Sequence, residues 1–161
     1  MKFLVDLPLG GLAKWLRFCG FDAATRRLAP DPRTLPPPAP DTYILTRQEA
    51  FRPRRRPDLL VLTAPTPEAQ LQEVLRRLRI PRSRLDLLSR CSRCNEPLTP
   101  VPREQALGRV PEHIFHYHEQ FYECPRCRRL FWPGSHLNGI TRSLGEGLPK
   151  PLKLPHHRKK P

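Results

Sequence analysis

Four of the five cysteines fall in two like frames, Cys91-x-x-Cys94 and Cys124-x-x-Cys127. Each frame can present two thiolates from one tight knuckle, and two knuckles complete the tetrahedral sulfur set that Zn²⁺ prefers. The polar dipeptides Ser92-Arg93 and Pro125-Arg126 suit a knuckle whose backbone amides point at sulfur. Two disulfides, or buried thiols with no metal, are the competing readings. Met1-Lys2 leads straight into a short apolar run ending at Asp6, without a signal-peptide pattern, so a reducing, cytoplasmic setting is expected. Disulfides are rare there. A closed, structural zinc held by Cys91, Cys94, Cys124 and Cys127 is therefore the expectation, and Cys19 reads as a small buried apolar residue.

Three carboxylates are candidates for a second chemistry. Asp6, Asp22 and Glu49 each lie at or just beyond the end of a predicted strand, and ligands of parallel α/β sheets gather outside the carboxyl ends of strands. Clustered carboxylates there could hold Mg²⁺ or Mn²⁺, which activates water and steadies a phosphate under attack. An aspartate after a strand serves equally well as a helix cap or turn former, so the type and position alone do not decide.

Charge points the same way. Lys+Arg outnumber Asp+Glu by 29 to 15, a formal net charge of +14. Most of these cations are arginines, whose flat donor fork matches phosphate oxygens and stacks on bases, which favours RNA as partner. DNA is the second choice, because phosphate contacts alone do not tell the sugars apart. The 22 prolines suggest instead a compositional bias that would also enrich arginine. Arg52, Arg54, Arg55 and Arg56 lie between Pro53 and Pro57 or beside them, in a loop read either as a phosphate contact or as a solvated turn. Arg47, Lys14 and Arg17 are further candidates for the RNA backbone. No apolar run approaches membrane-spanning length, so a soluble chain without a membrane partner is expected. Oligomeric state is not written in the sequence.

The elements that must position these groups follow from periodicity. Strands are predicted at 2–5, 21–25, 42–46 and 59–62. Helices are predicted at 8–18, closed by Gly20, and at 67–78, where Thr66 caps, Pro67 opens and Leu71, Val74, Leu75 and Leu78 form one apolar stripe. Between them, residues 29–40 hold six prolines and read as a stiff extended connector. Alternation of strand and helix implies an α/β class with a mainly parallel sheet over 1–88. A metal-stapled module over 89–140 and a basic tail over 141–161, expected to lack order, complete the chain. Phe121, Tyr122, Phe131 and Trp132 are expected to pack the module's small core, and His113, His116 and His118 to lie on its surface.

Several runs, taken together, resemble a known family. They are the stretch Phe3-Leu4-Val5-Asp6-Leu7-Pro8-Leu9-Gly10-Gly11-Leu12-Ala13-Lys14-Trp15-Leu16-Arg17, then Gly20-Phe21-Asp22, then Ile44-Leu45-Thr46-Arg47. Cys91-x-x-Cys94-Asn95, Val110-Pro111, Cys124-Pro125-x-Cys127 and Phe131-Trp132-x-Gly134-Ser135-His136 continue the series. Over roughly residues 1–140 the chain resembles the Mut-seven carboxy-terminal RNase domain family. The resemblance implies a PIN-like nuclease fold followed by a zinc ribbon, and metal-dependent cleavage of RNA by clustered aspartates. It assigns Asp6 to the leading acidic position and Asp22 to a second. At the third, the family reads Leu-Thr-Arg-Asp where this chain has Leu45-Thr46-Arg47-Gln48, with Glu49 as the adjacent substitute. The family's helix before the third strand is replaced here by the proline connector. Two functions follow as expectations: a metal-dependent endoribonuclease with an altered site, or an RNA-binding module without catalysis. His136 gains a candidate role from its Gly-Ser-His context.

Overall fold

The computed structural model describes residues 1–134 and Arg142; the expectations for His136 and for the basic tail lie outside the described residues. The chain opens with strand β1 (Lys2–Asp6), a 3-10 turn (Leu7–Leu9) and helix α1 (Gly10–Phe18). Strands β2 (Asp22–Arg26), β3 (Thr42–Thr46) and β4 (Leu59–Val61) follow, then helix α2 (Pro67–Arg77). The four strands form one parallel sheet in the order β2-β1-β3-β4, so the expected α/β class with a parallel sheet is found.

Both helix signals work as their chemistry requires. The Thr66 hydroxyl accepts the Ala69 N–H at 3.3 Å, with Pro67 in the first helical position. Gly20 takes φ +89° at the end of α1, and a Cβ there would stand 2.5 Å from the Asp86 carbonyl. Gly11 lets α1 approach α2, where a Cβ would meet Pro67 Cγ at 2.7 Å.

Pleating sends alternate residues to opposite faces of the sheet. Phe3, Val5, Leu45 and Leu60 face the helices, where they pack with Leu9, Leu12, Leu16, Leu71 and Val74. Ile44, Leu59 and Val61 face the other way and pack with Leu28 and Phe51. The helices cover the first face; the proline connector, through Leu28 and Leu35, and the turn at Phe51 cover the second. Handedness explains this division. The β1-to-β2 crossover moves outward over one face, so a right-handed return from β2 to β3, in the opposite direction, must pass over the other. The connector therefore does a helix's covering work without being one; its only helical piece is the 3-10 turn Pro32–Thr34. The reversal puts a topological switch point at the carboxyl ends of β1 and β3, where such sheets open a crevice.

The remaining chain forms an antiparallel three-stranded sheet, β5 (Thr99–Val101), β6 (Phe121–Glu123) and β7 (Leu130–Phe131), with the short helix α3 (Glu112–Tyr117) between β5 and β6. It does not keep all its aromatics in a core of its own. Phe121 is buried within the module, its ring 6.4 Å from that of Trp132. Tyr122 belongs to the main core with Leu85, Leu87 and Leu88, and Phe131 and Leu98 pack against the same cluster. Among the described residues no helix is long and apolar enough to cross a membrane.

Candidate functional site

Asp6 ends β1 at the switch point and is 1% exposed. Its Oδ1 accepts the Leu28 N–H at 3.2 Å, and its Oδ2 accepts the Thr46 hydroxyl at 2.8 Å and Gln48 Nε2 at 2.7 Å. The same Nε2 donates to the Leu28 carbonyl at 3.0 Å. Both of its contacts are acceptors, which fixes the amide with its nitrogen, and not its oxygen, toward Asp6. Strand register supplies the rest: Val5 pairs with Leu45, so Thr46 stands beside Asp6, and Gln48 reaches back from the following turn.

A cavity of about 350 Å³ opens here, bordered by Asp6, Gly11, Arg47, Gln48, Pro67 and Gln70. Asp6 is its one carboxylate. The donor set does not fit a catalytic Mg²⁺ or Mn²⁺: these hard cations need oxygen ligands and negative charge. Here an amide N–H occupies the open side of the carboxylate, and the sole His, Cys, Asp or Glu cluster of metal-binding size among the described residues is the cysteine set.

Asp22 and Glu49 stand elsewhere. Asp22 was expected at a carboxyl edge, but it begins β2, paired with Lys2, while Arg26 is the β2 residue level with Asp6. The two aspartates are thus at opposite ends of the sheet, four residues or about 13 Å apart along a strand. The sequence misleads because both acids adjoin strands, and only register tells which end of a strand each occupies. The Asp22 carboxylate instead accepts Asn95 Nδ2 at 2.7 Å. Glu49 is exposed and ion-paired with Arg52, the residue that closes the 3-10 turn Glu49–Phe51, and that guanidinium holds its carboxyl below the usual range.

The candidate RNA-contacting cations are likewise divided. Arg52 is bound to Glu49, and Arg56 pairs with Asp58 at 2.6 Å and donates to the Pro36 carbonyl, pinning the loop to the connector. Arg54 and Arg55 are exposed, as are Lys14 on α1 and Arg47 at the mouth of the Asp6 cavity. Arg17 differs from the expectation of an exposed cation: it is 8% exposed and donates to the carbonyls of Ala23, Ser92 and Arg93. Burial draws its pKa down, opposed by Cys91, Cys94 and Asp22.

The four knuckle cysteines converge. One sulfur from each lies within 4.8 Å of the others, and Cys91 Sγ is 3.8 Å from Cys127 Sγ. Zn–S bonds of about 2.3 Å in a tetrahedron place sulfurs about 3.8 Å apart, whereas a disulfide requires about 2.05 Å. All four are free thiols. The two knuckles are built alike: Cys94 N–H points at Cys91 Sγ and Cys127 N–H at Cys124 Sγ, while Asn95 and Arg128 both take the left-handed backbone, φ 65° and 60°. Burial pushes the Cys91 thiol up to about 12, so a metal bound there must displace its proton. These residues fit a structural zinc. His113 and His116 are exposed and His118 half-buried, none of them in the cluster.

Sequence reading passed over the contacts that join the two halves. Asn95, the residue after Cys94, uses its whole amide: Oδ1 accepts the Ala23 N–H on the free edge of β2 and Nδ2 donates to Asp22. Arg17 completes the junction from α1. The only signal of this pair was their place in the runs that resemble the family.

Comparison with curated proteins and with solved structures finds no match. The family model described as the Mut7-C RNAse domain matches residues 1–144, and so spans the parallel sheet, both its helices and the cysteine module. On that match, and with the parallel α/β sheet and the paired knuckles in place, the chain belongs to the Mut7-C RNase domain family.

Proposed function

We propose that this chain is an RNA-binding module of the family in which the catalytic carboxylate cluster is reduced to one carboxylate, Asp6, held by neutral hydrogen-bond donors. The observation that carries this reading is the 2.7 Å bond from Gln48 Nε2 to Asp6 Oδ2. The amide, with the Thr46 hydroxyl and the Leu28 N–H, satisfies the Asp6 carboxylate where a metal nuclease would use a cation, and it does so without the second negative charge a cation requires. A net charge of +14 supports an electrostatic grip on RNA phosphates, with Arg47, Arg54 and Arg55 as exposed contacts. Zinc held by the knuckles serves the fold, and thiols used as ligands favour a reducing, cytoplasmic setting.

The competing reading is metal-dependent cleavage, favoured by the family match and by Asp6 at the switch point. One experiment separates them: zinc-loaded protein is incubated with end-labelled single-stranded or tRNA-like RNA, with and without Mg²⁺ or Mn²⁺. Salt-sensitive binding with intact RNA is expected. Metal-dependent cleavage that Asp6→Asn abolishes would overturn the binding-module reading, and cleavage that survives Asp6→Asn would come from a contaminant.

A further inference from the structure

We propose that the cleft between the free edge of β2 and the two cysteine knuckles is a binding site for an RNA phosphodiester, distinct from the Asp6 cavity. This rests on the RNA reading above and adds a location to it. The cleft measures about 600 Å³ and is bordered by Thr25 on β2 and by Arg17, Arg93, Asn95 and Arg126. No carboxylate lines it; Cys94 and Cys127 of the metal cluster do, so its field is that of three guanidiniums set against the cluster.

The knuckles aim two of them. Arg93 precedes Cys94 and Arg126 precedes Cys127, and because the knuckles share one backbone geometry, the two arginines hold equivalent positions on the same metal cluster. Both are exposed. Arg126 has only a long contact, 3.9 Å, to Glu96, which leaves its fork available. Arginine forks of this kind suit the paired oxygens of a phosphate. A Zn(Cys)₄ cluster carries a formal charge of about −2, and Arg17, which bonds to the knuckle carbonyls, is the arginine placed to offset it.

The opposite wall is backbone. β2 is an edge strand, paired only with β1. Ala23 turns its N–H to Asn95 and its carbonyl to Arg17, both away from β1, so the period of two puts the Thr25 N–H on the same open edge beside its exposed hydroxyl. An anion in the cleft would meet backbone and hydroxyl donors from one side and guanidiniums from the other. Arg26 and Arg27, both exposed, continue the positive line from Thr25 toward the carboxyl ends of the strands, so a strand of RNA entering at the knuckles can run on toward Arg47.

The test uses the full zinc-loaded chain and a fluorescent single-stranded RNA, with affinity read across a salt series and zinc content measured for each variant. Arg93→Gln/Arg126→Gln is expected to weaken binding about tenfold and to lower the slope of log K against log salt by about 1.4, two phosphate contacts at about 0.7 each, with zinc retained. Thr25→Glu touches no cysteine and places a carboxylate in the cleft, so it must weaken binding as well. Unchanged affinity in Thr25→Glu, or loss in the double variant only in step with zinc loss, would overturn the site. If the wild-type chain binds RNA and only Arg54→Gln/Arg55→Gln loses affinity, the cleft is wrong and the RNA reading stands. If the wild-type chain does not bind RNA, both fall.

Discussion

At the scale of the residue, the proposed loss of catalysis rests on one amide. Gln48 and Asp6 are 42 positions apart, and the substitution of Gln for the family's Asp was legible in the sequence. Its consequence was not, because nothing in a sequence shows that the amide turns back onto Asp6 and also onto the Leu28 carbonyl. Asp6→Asn removes the charge and one of the two oxygens that the Leu28, Thr46 and Gln48 donors share, and should cost about 1–3 kcal/mol, measured by urea unfolding. Gln48→Asp would direct a second carboxylate, one methylene shorter, toward Asp6, leaving between the two the space and the negative charge that a divalent cation needs. With zinc retained, its melting temperature should lie below that of the wild type and rise on addition of Mn²⁺, to which the wild type is indifferent. A second buried acid gives a pH signature. Burial pushes the Glu73 carboxyl up, but the Ala64 and Thr63 N–H groups and Arg77 outweigh it and hold it below the ordinary range. Its stabilisation is therefore complete above the unfolded carboxylate pKa and is lost as pH falls through the lower folded value. Glu73→Gln should be less stable at neutral pH, with the difference shrinking on acidification.

At the scale of the element, periodicity read the helices and strands of the parallel unit to within a residue or two, since α2 carries both a cap and an apolar stripe, and β3 is rich in β-branched and aromatic residues; the short strands and helix of the cysteine module were not read. It could not read register, and so it brought Asp22 to the wrong end of the sheet. Nor could it see that a proline connector would cover a sheet face where the family carries a helix. The cysteine frames were legible because spacing alone constrains a zinc site, whereas the Arg17 and Asn95 junction depends on two elements meeting. Chelation is expected to release the knuckles and, through Asn95, the free edge of β2. Hydrogen exchange should then quicken across 91–132 and at Ala23, while β1 and β3 stay protected. Uniform loss of protection over the whole chain would mean the sheet depends on the metal. Asn95→Ala, which leaves the zinc ligands in place, should lower stability by about 1–3 kcal/mol by stripping partners from Ala23 N–H and Asp22.

At the scale of the whole molecule, the parallel unit and the cysteine module are joined by a shared core through Tyr122 and by the Arg17 and Asn95 contacts, and they frame a basic cleft between them. Net charge predicted a polyanion partner, yet it could not rank the arginines. Arg17, Arg52 and Arg56 are committed to internal partners, while Arg47, Arg54, Arg55, Arg93 and Arg126 face solvent. RNA affinity should therefore fall steeply with salt and depend little on base sequence. The most direct measurement of the central claim follows one labelled RNA with zinc-loaded protein in Mn²⁺, scoring complex and fragments on the same gel. A salt-sensitive complex holding full-length RNA, the same with and without added Mn²⁺ while zinc stays bound, is the result the account predicts; fragments that need Mn²⁺ and vanish in Asp6→Asn would contradict it.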